Sequence, residues 1–299
     1  MNNIKIVRGN IFNTKAQTIV NTVNCVGVMG KGIALVFKLR YPLMFDIYKG
    51  FCKSKQIGIG KLWLYKGEPE EPWVLNFPTK FHWKYPSKLE YIELGLEKFV
   101  TTYKEKGITS IAFPMLGTNN GGLSKDEVLP VMQRYLSACD IPVEIYDYDP
   151  STPDDLFERF KTTWQSIGDT EKKACGIRSI TQIRAMNKAL EDDDIKSMIA
   201  LINYDGVGMK TMEGCFKMVM NYKKEQRWAC SFTKLLTTLS LQKESNIAQS
   251  VKCLKSIIPA DRKYVSSSPI TAFTIAKSTG FYLRMTQLFP LNSRITEVK

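Results

Sequence analysis

An α/β sandwich around a largely parallel sheet, followed by a smaller and mostly α-helical region, is the fold class this sequence predicts. Two observations carry it. Residues 4–8, 18–24, 73–79, 110–116 and 142–148 are runs rich in β-branched and aromatic residues, bounded by Gly, Pro or Asn, and helical patterns lie between them. After the segment DPSTP (149–153) the strand runs stop, and only helical periodicity continues to the C-terminus. The predicted boundaries are therefore 1–149 for the α/β domain and 150–299 for a helical C-terminal domain.

The elements follow in order. The stretch GIALVFKLRYP reads as a helix after the second strand. Ser87 with Glu90 has capping-box spacing, Leu89, Ile92, Leu96, Phe99 and Tyr103 recur at helical intervals, and Gly107 can end that helix. Ser124 with Glu127 repeats the device before Leu129, Met132 and Leu136. In the second half the helical segments are 155–167, 180–202, 212–222, 230–240 and 247–258. Ala276 with Gly280 has the spacing of a helix-turn-helix within 268–288, although a plain helical hairpin explains it more readily.

Composition narrows the chemistry. The 299 residues contain one histidine, His82, which excludes any mechanism needing two. Seven scattered cysteines without a C-x-x-C pair suit a reducing cytoplasm and argue against a structural zinc site. No stretch approaches the apolar length that spans a membrane, and the N-terminus enters a strand pattern at once, so neither membrane contact nor a signal peptide is expected. The net charge of +13 is spread over both halves and suits a phosphate-rich partner, although solubility alone could also account for it.

Three loops carry the chemical signal, and in a parallel sheet loops after strand C-termini open on one crevice. NTVNCVGVMGKG (21–32) offers Gly27, Gly30 and Gly32 for close backbone approach to an anion at a helix N-terminus, with the Asn24 amide nearby for a sugar hydroxyl. A tight strand-to-helix turn would explain those glycines equally well. GTNNGGL (117–123) makes a second nest from Gly117, Thr118, Gly121 and Gly122. Two nests together fit a pyrophosphate. FPTKFHWKYPS (77–87) interleaves Phe81, Trp83 and Tyr85 with Lys80 and Lys84, a mixture that can stack on bases and meet phosphates.

The string RGNIFNTKAQTIVNTVN, then VGVMGKGIALVFK, FPTKFHW, SKLEYIELGL and PMLGTNNGGL, resembles the macrodomain family over residues 1–149. Within it the sequence is similar to the DarG-type DNA ADP-ribosyl glycohydrolases, the antitoxins of DarT toxins. The resemblance implies a three-layer α/β/α sandwich with a mixed sheet. It also implies a hydrolase that removes ADP-ribose from DNA bases without metal or cofactor. A non-catalytic ADP-ribose reader and a protein-directed ADP-ribosyl hydrolase are the alternatives. It places Lys80 at the catalytic position, acting at the distal ribose C1 as nucleophile or as base and electrostatic stabiliser, with Lys84 favouring the neutral amine by repulsion. The implied ADP-ribose contacts are Gly9, Asn10 and Ile11; Asn24; Val26, Gly27, Val28, Met29, Gly30, Lys31 and Gly32; Thr79; and Gly117, Thr118, Asn119, Asn120, Gly121, Gly122 and Leu123. Phe81, His82, Trp83 and Lys84 are the candidates for DNA contact, the expected substrate being ADP-ribosylated single-stranded DNA. A DarT-like toxin is the expected partner of residues 150–299, with operator DNA as the competing one. Two positions depart from the family pattern. Asn10 stands where an adenine-binding Asp is usual, and Gly121 stands where the human-type enzymes carry a catalytic Asp.

Overall fold

The computed structural model describes residues 3–68 and 71–220. The described residues fall in one compact unit, Met1–Arg227, and the expected boundary at 149–153 lies inside it. The predicted segments 230–240 and 247–258, and the helix-turn-helix spacing at 268–288, lie outside the described residues.

Six strands form one mixed sheet. In chain order they are β1 (Ile4–Gly9), β2 (Thr18–Asn24), β3 (Trp63–Tyr65), β4 (Trp73–Lys80), β5 (Ile111–Pro114) and β6 (Val143–Tyr148), with spatial order β1-β6-β5-β2-β4-β3. All pairings are parallel except β3 on β4, which is antiparallel at the edge. The five predicted strands are present. β3 carries only Trp-Leu-Tyr, too short to show alternation in the sequence.

Two helices cover each face. On one, α3 (Leu89–Thr102) and α4 (Lys125–Leu136) bury Ile92, Leu96, Phe99, Val128 and Met132 against Val20, Leu75, Phe77 and Phe113. On the other, α1 (Gly32–Arg40) and α2 (Pro42–Lys53) set Phe37, Met44 and Tyr48 against Ile19, Val23 and Val74. The helix predicted over 32–42 ends at Arg40, because Pro42 cannot continue it and starts α2 instead.

Caps were only half legible. The Ser124–Glu127 box forms at the start of α4. The box expected at Ser87 does not. Lys88 occupies the N-cap of α3 without a side-chain bond, and the Ser87 backbone N–H donates to the Gly121 carbonyl at 2.8 Å. That tertiary bond fixes Ser87 one residue too early to cap the helix.

Beyond the sheet come α5 (Phe157–Ser166), α6 (Asp169–Ala174), α7 (Ile180–Glu191), α8 (Met198–Ile202) and a helix over 209–220, here α9. The predicted helix 180–202 is two helices. Asp192 is extended and accepts from Asp194 N, and Ser197 starts α8 afresh by accepting from Ala200 N. These helices share a core with α1. Leu35, Val36 and Leu39 pack with Leu156, Phe160, Met186, Leu201 and Phe216. α1 is thus apolar on two sides because it is buried on two sides. The Arg40 guanidinium seals one edge, bonded to both Asp155 oxygens at 3.1 and 2.5 Å and lying 3.9 Å over the Phe12 ring. No helix among the described residues is long and apolar enough to cross a membrane.

Candidate functional site

A cleft of about 890 Å³ opens at the C-terminal ends of the parallel strands. All three predicted loops reach it, and the turn after β1 joins them. The sheet order sets the layout. The turn after β1 and the end of β6 form one end, the loops after β5 and β2 form the middle, and the loop after β4 forms the other end.

The first loop is held by its own asparagine. Asn24 Oδ1 accepts from Val26 N at 3.0 Å and Val28 N at 3.3 Å, while its Nδ2 donates to the Val28 carbonyl at 2.5 Å. The buried Tyr48 hydroxyl donates to the Asn24 carbonyl at 2.6 Å, and burial pushes its phenol far up, so it remains a donor. Asn24 therefore shapes the loop as well as facing the cleft. Downstream, Val28, Gly30, Lys31 and Gly32 line the cleft, and α1 starts at Gly32 with no side-chain cap at Lys31. Its first-turn N–H groups are left for an anion. Val26 and Gly27 do not line the cleft, and Met29 is buried in the core beneath it.

The second loop brings Gly117, Thr118, Asn119, Asn120 and Gly121 to the cleft, whereas Gly122 and Leu123 stay behind it. Gly117 has φ +68°, and a Cβ there would lie 2.8 Å from Leu123 Cδ1, so Leu123 is the floor of the loop rather than a contact. A Cβ on Gly121 would lie 2.7 Å from Ser87 Oγ, a buried hydroxyl without a hydrogen-bond partner. An acidic side chain at 121 has no room unless Ser87 moves. The two glycine loops also touch each other, since a Cβ on Gly32 would lie 2.7 Å from Asn120 Nδ2.

Lys80 closes the arrangement. It is the last residue of β4 and pairs with Asn24 of β2 just after a bulge at Thr79. Its ammonium donates to the Asn120 carbonyl, so the lysine reaches from the third loop to the second. Burial holds its pKa below the usual lysine value. Desolvation is the cause, not the repulsion from Lys84 expected from the sequence. Beside it, Phe81, Trp83 and Tyr85 are 63%, 48% and 65% exposed, and the His82 ring stacks on Trp83 with centroids 5.6 Å apart. Trp83 and Lys84 line the cleft, as does Thr79, while Phe81 and His82 do not. The Cys25 N–H donates to the Phe81 carbonyl at 3.2 Å and binds the first and third loops together.

At the opposite end Gly9, Asn10 and Ile11 line the cleft. Asn10 Oδ1 caps the 3-10 turn Ile11–Asn13 by accepting from Phe12 N at 3.2 Å, so its amide oxygen is already partly committed. Sequence reasoning missed Phe12, Thr22, Lys125, Tyr146, Asp147 and Tyr148. The two tyrosines and Asp147 lie at the C-terminal end of β6, and the strand-end rule that found the other loops could have found them.

Residues 20–132 match the family model described as Macro domain. The chain is 43% identical over 149 residues to the "DNA ADP-ribosyl glycohydrolase" of Thermus aquaticus, covering 49% of this chain and 41% of that protein. It is 40% identical over 161 residues to the "DNA ADP-ribosyl transferase-DNA ADP-ribosyl glycohydrolase fusion protein" of Thermosipho africanus, covering 48% of this chain and 42% of that one. Against the solved macrodomain of Thermus aquaticus DarG the identity is 42% and the TM-score 0.46, over 49% of this chain and 98% of that chain. The chain thus spans about two fifths of the length of the curated relatives it matches.

Proposed function

Residues 20–132 of this chain are a macro domain, and from that premise we propose that the protein is a hydrolase that removes ADP-ribose from bases of single-stranded DNA. One observation carries the reading. The partly buried Lys80 amine joins the third loop to the second of two glycine loops, beside exposed aromatic and basic side chains. The glycine loops hold the pyrophosphate, which leaves the distal ribose at Lys80 and the nucleoside at the β1 end. The DNA strand then lies on Phe81, Trp83 and Lys84, outside the cleft mouth.

The chemistry follows from the position of the amine. In its neutral form Lys80 Nζ attacks C1 of the distal ribose as the bond from C1 to the base nitrogen breaks, and the departing base nitrogen takes up the proton that the alkylated Nζ sheds. Water then displaces Nζ, releasing ADP-ribose and restoring the lysine. Burial enlarges the neutral fraction, which favours the nucleophilic role over a purely electrostatic one. No carboxylate assists from position 121, where Ser87 leaves none room.

A second task belongs to the chain outside the sheet. The Thermosipho relative unites a DNA ADP-ribosyl transferase with the glycohydrolase in one polypeptide. On that pattern the protein counteracts a cognate transferase as its antitoxin, in the cytoplasm. On this reading residues 1–149 carry the hydrolase chemistry and residues 150–299 engage the enzyme.

The test is incubation of the full chain with an ADP-ribosylated single-stranded oligonucleotide and, separately, with an ADP-ribosylated protein. Release of ADP-ribose from the DNA supports the proposal. Tight ADP-ribose binding without release from either substrate identifies a reader module instead. Release from the protein alone identifies a protein-directed hydrolase.

A further inference from the structure

The cleft does not end at the sheet. Its wall beyond the β1 turn includes Tyr148, Asp154 and Ile199, and the last two belong to the helical segment rather than to the strand-and-loop pattern. That segment is fastened to the turn it covers. Asp149 N donates to the Gly9 carbonyl at 3.2 Å, Asn13 Nδ2 donates to the Pro153 carbonyl at 2.8 Å, and a Cβ built on Gly9 would lie 3.7 Å from Thr152 Cγ2.

Asp154 fixes the helices behind this wall. Only 6% exposed, it accepts from Leu156 N at 3.0 Å and Phe157 N at 2.9 Å through Oδ1, and from Met198 N at 2.7 Å through Oδ2. One carboxylate thereby ties the start of α5 to the start of α8 and holds Ile199, the next residue, at the cleft edge. Ile199 is itself partly buried against the core shared by α1, α5 and α7, so its position is set from both sides.

We infer that the helical segment completes the nucleoside end of the cleft, with Ile199 and Tyr148 as the apolar wall against the base and Asp154 as the positioning residue that places Ile199. This rests on the ADP-ribose reading above, which puts the base at the β1 end. A flat base is held by apolar and aromatic surface, and Ile199 and Tyr148 extend the side that Ile11 and Phe12 of the β1 turn begin. Residues 150–199 then act on nucleotide affinity.

The experiment uses the full chain, titrated with ADP-ribose and with AMP by calorimetry, for wild type and Ile199→Trp. The indole fills the wall, so both ligands weaken by about tenfold or more. Hydrogen exchange on the wild-type chain gives a reading independent of any variant. ADP-ribose slows exchange at the amides of 198–202. Affinities unchanged in a folded Ile199→Trp, or no added protection at 198–202 in wild type that does bind ADP-ribose, overturns this inference alone. Failure of wild type to bind either ligand overturns it together with the ADP-ribose reading.

Discussion

At the scale of single residues, the proposed chemistry rests on Lys80. Its pKa is lowered from the ordinary 10.5 by burial, so the neutral amine grows as pH rises through a value below that. If the neutral form attacks C1, the single-turnover rate climbs with pH and levels off above the lysine's own pKa, with a midpoint under 10.5. A rate flat across that range contradicts nucleophilic attack and returns Lys80 to a charge-stabilising role. Gly30 tests the anion nest in the same loop system. A Cβ there would meet nothing closer than Val28 Cγ1 at 3.8 Å, so a side chain fits the fold. Gly30→Glu nevertheless brings a negative charge to the N-terminus of α1. The variant is expected to keep the wild-type melting temperature and to lose ADP-ribose binding in calorimetry. Normal binding by a folded Gly30→Glu removes the first loop from the phosphate site.

At the scale of elements, α1 links the sheet to the helical segment. Its Phe37 side faces the sheet, and its Leu35–Leu39 side faces α5 and α7. Phe160 is fully buried in the second of these contacts. Phe160→Ala is expected to cost about 3–5 kcal/mol and to lower one cooperative melt, because the two layers share α1. Two separate thermal transitions, with only one of them shifted, contradict a shared core. The same elements show what the sequence could convey. Five strands were legible because each has several β-branched or aromatic residues between breakers, and β3 was not, because three residues cannot display a period. The two glycine loops were legible from residue type and spacing, whereas Lys80 was singled out only by the family resemblance. The Ser87 cap was misread because its backbone N–H is taken by Gly121, some 34 residues onward. The cleft side of Met29 and Leu123 was equally hidden: loop membership does not say which way a side chain turns.

At the scale of the whole molecule, the cleft runs from Lys80 and Trp83 to Tyr148 and Ile199, and so joins the sheet to the helices that follow it. The sequence pattern puts Lys80 and both glycine loops within 1–149. The structure adds a cost to cutting there, because Leu35, Val36 and Leu39 would lose their cover. A fragment ending at 149 is expected to melt below one ending at Arg227 and to bind ADP-ribose more weakly, by differential scanning fluorimetry and calorimetry. Equal melting and equal affinity would show the helices to be dispensable for the domain. The proposed antitoxin role can be tested apart from catalysis. Coexpressed with its cognate transferase, full-length Lys80→Ala is expected to retain partial protection, and a complete loss of protection contradicts binding of the transferase by residues 150–299.

The most direct measurement is release of ADP-ribose from an ADP-ribosylated single-stranded oligonucleotide by wild type and by Lys80→Ala, under single-turnover conditions and with ADP-ribose affinity measured on both. The wild-type chain should release ADP-ribose. Lys80→Ala should bind free ADP-ribose within a few-fold of wild type and release none, since Lys80 lies at the end of β4 and not in either glycine nest. Release by Lys80→Ala at the wild-type rate, or no release by wild type at all, contradicts the account.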